Sequence, residues 1–264
     1  MIDDMQDIEV VVAHSERATL RVGDVFLKID TDQERVDREV EVMARVPVPT
    51  PRVLWRKPPV LALAAVPGSA LGRLQEPSPA SSAAWVAAGA SVRTLHDASL
   101  PPWPSSHCQQ QPIRSSRGTL QLPPKLDEEC EWLVAHDVVS VEVVRRNRQI
   151  AEAALRPWTP VFIHGDLQIV HVFVADDEVS GIVDWSEGGQ GDAMYDLATL
   201  TLGHEEHLDD VIAGYGGEVE IDVIRAYWSL RSLMEIRWLV EHGYGAPEKL
   251  PEVAVLRSLA AGAR

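Results

Sequence analysis

Short runs of β-branched and apolar residues, separated by polar turns, open the chain and predict an antiparallel sheet. Gly23 and Asp24 lie between two of these runs and form a two-residue hairpin signal. Pro67 and Gly68 end the last run, because proline and glycine interrupt a strand ladder. The five predicted strands span residues 8–14, 18–22, 25–29, 52–55 and 60–66.

One helix interrupts this predicted sheet. Thr31 and Glu34 match the first and last positions of a capping box, which is a signature of a helix start. The proline-rich stretch 47–51 ends the helix, because proline cannot continue a helix interior. The apolar positions at helical spacing are Val36, Val40 and Met43.

Beyond residue 67 the pattern becomes mainly helical. Residues 100–124 are rich in Pro, Ser and Gln and are predicted to form a long loop. Short β-branched runs, predicted as strands, span residues 161–163, 170–174 and 179–183. The predicted helices span residues 82–97, 125–137, 140–155, 193–203, 206–215, 222–242 and 251–261. We therefore expect an α+β fold with a small lobe, 1–66, and a larger helical lobe, 67–264.

The charge pattern narrows the possible partners. The 264-residue chain has a formal net charge of −16, and nucleic-acid binding is disfavoured because it requires a basic face. No lysine or arginine occurs between Arg156 and Arg225, where Asp and Glu are frequent. Such a stretch attracts metal ions and cationic molecules, although a solvated acidic surface accounts for it equally well.

No feature of the sequence predicts a membrane or an export signal. No apolar run reaches the ~20 residues needed to span a bilayer, and the acidic start, Met1 to Met5, is unlike a secretory signal. Cys108 and Cys130 form no CxxC pair, so neither a disulfide framework nor a thiolate zinc site is indicated. We expect a cytoplasmic protein.

Two acidic residues follow two of the short predicted strands. The run Val161-Phe-Ile leads into His164-Gly165-Asp166, and the run Gly181-Ile-Val delivers Asp184. Acids at the ends of neighbouring strands would point into one cleft. Phosphoryl transfer needs such a pair, because one carboxylate orients the attacking hydroxyl and the other holds a metal on the nucleotide phosphates. The alternative is that both residues only cap turns.

The residues in and around these two motifs form a specific pattern. His164-Gly-Asp166-Leu, Ile182-Val-Asp184-Trp185 and Gly191-Asp192-Ala-Met-Tyr195-Asp196-Leu-Ala together resemble the aminoglycoside phosphotransferase family of kinase-like enzymes. The resemblance extends over nearly the whole chain. It implies a bilobal protein-kinase-like fold, ATP or GTP as the phosphate donor, and Mg²⁺.

The resemblance also implies roles for single residues. Asp166 corresponds to the catalytic aspartate that accepts or orients the substrate hydroxyl, and Asp184 to the metal-binding aspartate. Lys28 would contact the α- and β-phosphates, and Glu39 would hold it in place. Glu34 and Glu41 remain open alternatives to Glu39, because the phase of the helix is uncertain.

Other family positions are matched more weakly. Val66-Pro67-Gly68 looks like the family's hinge, so Ala64 and Val66 are predicted to border the nucleotide. Ser15, in the turn after the first strand, could touch phosphate, although an ordinary hairpin turn is an equal alternative. The residues expected to support the catalytic loop without taking part in the chemistry are His164, Asp192 and Asp196.

Two departures from the family pattern stand out. The family has an Asn five residues after the catalytic aspartate as a ligand of the second metal, whereas this chain has His171. Imidazole suits Mn²⁺ or other transition metals better than Mg²⁺, so His171 is predicted to bind metal weakly, to bind a different metal, or only to hold the Asp166 loop. The phosphate turn, residues 14–18, contains no glycine.

Two hypotheses follow. The first is a nucleotide-dependent O-phosphotransferase acting on a hydroxyl of a small, polycationic molecule such as an aminoglycoside or another basic antibiotic, with the protein a monomer or a homodimer. The second is a catalytically silent nucleotide-binding regulatory protein, suggested by His171 and the glycine-free turn. Lys28, Asp166 and Asp184 are all present, which favours the first hypothesis.

Overall fold

A five-stranded antiparallel sheet with one helix forms the first lobe, as expected. The computed structural model describes residues 8–13, 17–105, 113–114 and 120–262. The strand order in the sheet is β1-β2-β3-β5-β4. The strands are β1 (Ile8–Ala13), β2 (Arg17–Val22), β3 (Val25–Asp30), β4 (Val53–Lys57) and β5 (Val60–Ala64).

The helix of this lobe, α1 (Gln33–Met43), begins one residue later than a cap at Thr31 would require. Asp32 is the N-cap, and its carboxylate accepts hydrogen bonds from the amides of Glu34 and Arg35. The predicted capping box is therefore wrong. A carboxylate one residue further along meets the same free amides and also suits the positive end of the helix dipole.

The second lobe is helical around one buried helix. Its central helix, α7 (Ile221–Glu241), packs against several of the others and buries most of its first four turns. Its helices are α2 (Ser82–His96), α3 (Leu126–Ala135), α4 (Val141–Ala151), α5 (Ala193–Thr201), α6 (Leu208–Tyr215), α7 and α8 (Pro251–Gly262). Among the described residues, none of the helices combines the length and the apolar character needed to cross a membrane.

Among the described residues, seven further short strands lie outside the five-stranded sheet, and the two acidic motifs follow two of them. They form a three-stranded sheet of order β11-β10-β6 and two pairs, β9 with β12 and β7 with β8. The strands are β6 (Ser69–Ala70), β7 (Ile113–Arg114), β8 (Leu120–Gln121), β9 (Val161–Ile163), β10 (Val172–Ala175), β11 (Glu178–Ile182) and β12 (Gly189–Gly191). Three of them, β9, β10 and β11, were expected, and β6, β7, β8 and β12 were not.

The start of the predicted loop 100–124 is attached to the segment after Asp184. The indole N–H of Trp103 donates to the Gly188 carbonyl at 3.0 Å, and the Ser105 hydroxyl donates to the Glu187 carbonyl at 2.8 Å. The guanidinium of Arg38 on α1 lies 4.5 Å from the Trp103 ring centroid. This attachment links the first lobe to the strands that hold the acidic motifs.

Candidate active site

The His-Gly-Asp turn after β9 is held by a carboxylate from α5. Asp196, which is fully buried, accepts hydrogen bonds from the backbone amides of His164 at 2.7 Å and Gly165 at 3.0 Å. Gly165 has φ +86°, and a Cβ there would lie 2.6 Å from both the Glu187 carbonyl and the Ser105 hydroxyl. The turn therefore requires glycine at position 165. By holding the two amides before it, Asp196 fixes the backbone position of Asp166.

His164 supports this turn from inside. Its Nδ1 accepts a hydrogen bond from the Asp166 amide at 3.2 Å, and its Nε2 donates to the Val183 carbonyl at 3.0 Å. Burial, with a smaller contribution from nearby His171, lowers the pKa of His164. A neutral ring with one donor and one acceptor nitrogen matches both contacts, so His164 connects the Asp166 turn to the residue before Asp184.

The Asp166 carboxylate faces two donors that sequence reasoning missed. Its Oδ1 accepts from Arg231 Nη2 at 2.7 Å and from Gln168 Nε2 at 2.9 Å, and Gln168 also reaches Oδ2 at 3.1 Å. Gln168 lies two residues along the same turn and could have been suspected from the motif. Arg231 lies 65 positions away on α7, and no local pattern connects it to the motif.

Lys28 on β3 lies between two carboxylates. Its Nζ is 2.7 Å from both Glu39 carboxylate oxygens and 2.9 Å from Asp184 Oδ1. Glu34 and Glu41 are exposed, and Glu41 pairs with Arg45 instead. The helix phase left open by the sequence is thereby settled in favour of Glu39.

The electrostatics of this triad keep its charges in place. Burial alone would lower the pKa of Lys28, but Asp184 and Glu39 outweigh it and raise that pKa. Burial alone would raise the pKa of Asp184, but Lys28 and, more weakly, His171 and Arg17 lower it. Burial does raise the pKa of Glu39 despite its bond to Lys28. An ammonium beside an ionised Asp184 is the dominant state at neutral pH.

Asp184 itself adopts the left-handed conformation, with φ 64° and ψ 62°. Aspartate tolerates this region better than most residues, although it remains strained. Ser186 supports the carboxylate with a hydrogen bond to Oδ1 at 3.3 Å. As a result Oδ1 faces Lys28, and Oδ2 lies towards His171.

His171 is oriented as a metal ligand would be. Its Nδ1 donates to the Asp166 carbonyl at 2.7 Å, and its Nε2 lies 3.9 Å from Asp184 Oδ2. Ligating histidines typically donate their other N–H to such an acceptor. Among the described residues no cluster of three or more potential protein ligands occurs. The pair therefore fits an ion whose remaining ligands are water and nucleotide phosphates, as is usual for Mg²⁺.

Asp192 supports the site from beneath. It caps α5 by accepting a hydrogen bond from the Met194 amide, and it pairs with Arg156 at 2.8 Å. The Tyr227 hydroxyl donates to the same carboxylate at 2.8 Å. These contacts fix the start of α5, whose Asp196 then holds the His-Gly-Asp turn.

Two of the predicted nucleotide contacts, Ala64 and Val66, are not among the residues that line the cleft with Asp166 and Asp184. A third, Ser15, lies outside the described residues. Ala64 ends β5, and its amide donates to the Arg52 carbonyl at 2.9 Å. Val66 packs its side chain over Gly181 of β11, where an added Cβ would lie 2.4 Å from Val66 Cγ1. The roles of Ala64 and Val66 remain predictions.

A cleft of about 1170 Å³ joins Asp166, His171 and Asp184. Arg17, the first residue of β2, also lines it and was not singled out from the sequence. A second wall comes from the second half of α7, from α8 with the segment before it, and from residues of α3 and of the segment before α6. The apolar members of this second wall include Met234, Trp238, Leu239 and Tyr244. Its acidic members include Glu129, Glu206, Glu235, Glu248 and Glu252.

Two of these acids are partly buried, and each has one buried carboxylate oxygen. Oε2 of Glu129 and Oε2 of Glu252 have no hydrogen-bond partner among the described residues. Burial raises the pKa of both carboxyl groups. A buried carboxylate oxygen without a donor is costly, and a cationic donor entering the cleft would relieve that cost.

Solved structures with the same fold are enzymes of small-molecule phosphorylation. The GDP and kanamycin complex of APH(2")-IIia matches with a TM-score of 0.70 at 15% identity, covering 100% of this chain and 96% of that one. A macrolide 2'-phosphotransferase type I matches with a TM-score of 0.62 at 21% identity, covering 97% and 91%. A choline/ethanolamine kinase family protein from Mesorhizobium loti matches with a TM-score of 0.61 at 18% identity, covering 96% and 87%. These likenesses establish the fold.

No curated protein matches the chain in sequence. The profile of the phosphotransferase enzyme family, however, matches residues 12–232. That range contains β2 to β5, both acidic motifs and Arg231. It therefore covers the whole cluster from Lys28 to Asp184 described above, and the chain belongs to the phosphotransferase enzyme family.

Proposed function

We propose that the protein transfers the γ-phosphate of ATP or GTP to a hydroxyl of a small cationic molecule in the cytoplasm. The observation that carries this proposal is that two carboxylates, those of Asp166 and Asp184, line one cleft. Asp166 is held by Arg231 and Gln168, and Asp184 is held by Lys28. Asp166 would bind the acceptor hydroxyl, and Asp184 would bind the metal ion on the nucleotide phosphates.

On the nucleotide side, Lys28 would bind the phosphates while Glu39 keeps its ammonium in place. Arg17 lies where a second positive charge could meet phosphate, beside a turn that has no glycine. Asp184 and His171 would hold the divalent ion, which supplies neutralisation of the phosphate charge when bound. Arg17, Asp184 and His171 line the cleft, and Lys28 contacts the Asp184 carboxylate.

On the acceptor side, Asp166 would accept the proton of the attacking hydroxyl or orient it. The acidic residues of the second wall suit an amine. Trp238, Met234 and Leu239 in the same wall suit the apolar part of an acceptor. An aminoglycoside or another basic antibiotic carries amines of this kind. The apolar residues favour an acceptor with one or two amines on a larger apolar frame over a wholly polar polycation.

His171 offers a test of the metal proposal. With Asn at this position an amide oxygen would replace a ring nitrogen, and hard Mg²⁺ prefers oxygen. We expect His171→Asn to raise activity with Mg²⁺ relative to Mn²⁺ by several-fold, on the order of the 10-fold effects that supporting groups have at metal sites. The measurement is the rate of nucleotide consumption with each metal, across a panel of basic antibiotics and small amino alcohols.

The ratio of the two rates is the informative quantity. If His171 only holds the Asp166 carbonyl, the substitution lowers both rates together and the ratio stays constant. That result would remove His171 from the metal site and leave Asp184 as its protein ligand. If the wild-type protein consumes no nucleotide with Mg²⁺ and none with Mn²⁺, whichever acceptor is added, the proposed reaction itself is contradicted.

A further inference from the structure

Arg231 is a charged side chain within an otherwise buried stretch of α7. It is 7% exposed, and its neighbours Leu230 and Leu233 are fully buried. Removing a guanidinium from water is costly unless excellent hydrogen bonds compensate. A leucine would suit the packing of α7 better, so the contacts of Arg231 call for an explanation.

The contacts of Arg231 connect Asp166, in the His-Gly-Asp loop, to Tyr195 on α5. Nη2 donates to Asp166 Oδ1 at 2.7 Å, and Nη1 donates to the Tyr195 hydroxyl at 3.1 Å. Tyr195 is 1% exposed and lies next to Asp196, which holds the amides of the same loop. The backbone of the loop is therefore fixed from α5, and its carboxylate from α7.

The charge on Arg231 is secure. Burial alone would lower its pKa, but Tyr195 and Asp166 outweigh burial and raise that pKa. Burial also raises the pKa of Tyr195, so its hydroxyl stays protonated. Arg231 is thus a permanent cation with two separate donors directed at two partners in a fixed fork, a geometry that lysine cannot reproduce.

We propose that Arg231 is a positioning residue of the transfer reaction, which holds the Asp166 carboxylate in the orientation that an acceptor hydroxyl requires. The inference rests on the proposed function. Lys28 and Asp184 hold the nucleotide side at the other end of the cluster, and the contacts of Arg231 described above reach neither. Loss of Arg231 should therefore slow transfer without weakening nucleotide binding.

The test compares Arg231→Met with Arg225→Met, a matched control on the same helix whose side chain pairs with Glu205 at the surface. We expect Arg231→Met to lower kcat by about 100-fold, the effect of a displaced catalytic group, with the nucleotide Kd unchanged. Added guanidinium ion should restore part of kcat in this variant alone. Arg225→Met should match the wild type in both quantities.

Arg231→Lys and Tyr195→Phe serve if Arg231→Met does not fold. Lysine keeps the charge but loses the fork, so we expect kcat to fall about 10-fold, and Tyr195→Phe, which frees one donor, should lower it less. All rates are expressed per nucleotide-binding site, so that loss of folded protein does not count.

Wild-type kcat in a folded Arg231→Met or Arg231→Lys protein would overturn the inference while leaving the proposed function intact. A loss of kcat that guanidinium does not relieve and that is matched by loss of nucleotide binding would also overturn it, because that pattern marks a purely structural role. A wild-type protein that transfers phosphate to none of the acceptors would overturn the proposed function, and this inference with it.

Discussion

The two sides of the cleft differ in whether the buried oxygens of their carboxylates have hydrogen-bond partners. On the side that we propose binds the nucleotide, Lys28 lies within 2.9 Å of Glu39 and Asp184, so each charge has an opposite neighbour. On the side that we propose binds the acceptor, Glu129 and Glu252 each have a buried carboxylate oxygen without a hydrogen-bond partner among the described residues. The first side is complete before any ligand arrives, and the second is not.

The difference indicates what each side has to recognise. Nucleotide phosphates are the same in every turnover, so a preorganised cluster with balanced charge is suited to them. A wall on which Glu129 and Glu252 each have one carboxylate oxygen without a hydrogen-bond partner among the described residues favours a cation that brings donors to those oxygens. Its specificity depends on the shape of the remaining apolar surface. Asp166 lies between the two and is held by Arg231 and Gln168.

The largest expected effect lies at that meeting point. Asp166→Ala removes the group that orients or deprotonates the acceptor hydroxyl, so kcat should fall by about 10²- to 10⁴-fold. Nucleotide affinity should change little, because Lys28 and Asp184 are untouched. Steady-state transfer rates and a nucleotide-binding titration measure the two quantities. Asp209→Ala, at an exposed position of α6, is the control, and equal activity in the two variants would refute the role of Asp166.

The next largest effect should separate the two sides. Glu39→Gln removes one of the two charges that hold Lys28, so we expect the nucleotide KM to rise by about 10-fold and the free energy of unfolding to drop by about 1–3 kcal/mol. The acceptor KM should stay constant. Glu41→Gln on the same helix is the matched control, since Glu41 is exposed. If both variants behave alike in kinetics and denaturant melts, Lys28 is not held through Glu39.

The smallest effect should appear on the acceptor side. Glu252→Gln removes a charge that a cationic acceptor would meet, so the acceptor KM should rise by about 3-fold while the nucleotide KM stays constant. Glu178→Gln, on the exposed end of β11, is the control. A change in nucleotide KM instead would break the division of the cleft into two sides.

The pH dependence of the same residue sharpens this prediction. Burial raises the pKa of Glu252, so its carboxylate forms only at a pH above the ordinary glutamate range. A cation binds the ionised form, and the acceptor KM should therefore fall as pH rises through that value. Glu252→Gln should flatten this limb of the profile. An unaltered limb would show that another group controls acceptor binding.

The sequence predicted the fold, and the closeness of Lys28, Glu39 and Asp184, for a physical reason. Strand runs, helix spacing and the two acidic motifs are local patterns, and they located Asp166 and Asp184 at strand ends. Glu39 could be proposed only together with Glu34 and Glu41, because the choice depends on which face of α1 meets β3. The cap of α1 was misplaced by one residue for the same reason, since several polar side chains could serve.

What the sequence could not predict depends on contacts between distant segments. Arg231 reaches Asp166 from 65 positions away, and in the sequence it looks like an ordinary charged residue of a helix. The second wall of the cleft combines residues of α7 and α8 with Glu129. These segments are far apart in the sequence and come together only when the second lobe is packed. Strands β6, β7, β8 and β12 have two or three residues each, too few for any alternating pattern.

The central claim is transfer of phosphate to a hydroxyl of a cationic small molecule, and the most direct measurement follows the phosphate itself. The wild-type protein and Asp166→Ala are incubated with γ-labelled ATP or GTP, Mg²⁺ or Mn²⁺, and a panel of basic antibiotics and amino alcohols. The account predicts that the wild type places the label in a stable phosphate ester of at least one cationic acceptor and that Asp166→Ala does not. Label found only in inorganic phosphate, or only in a neutral acceptor, would contradict it.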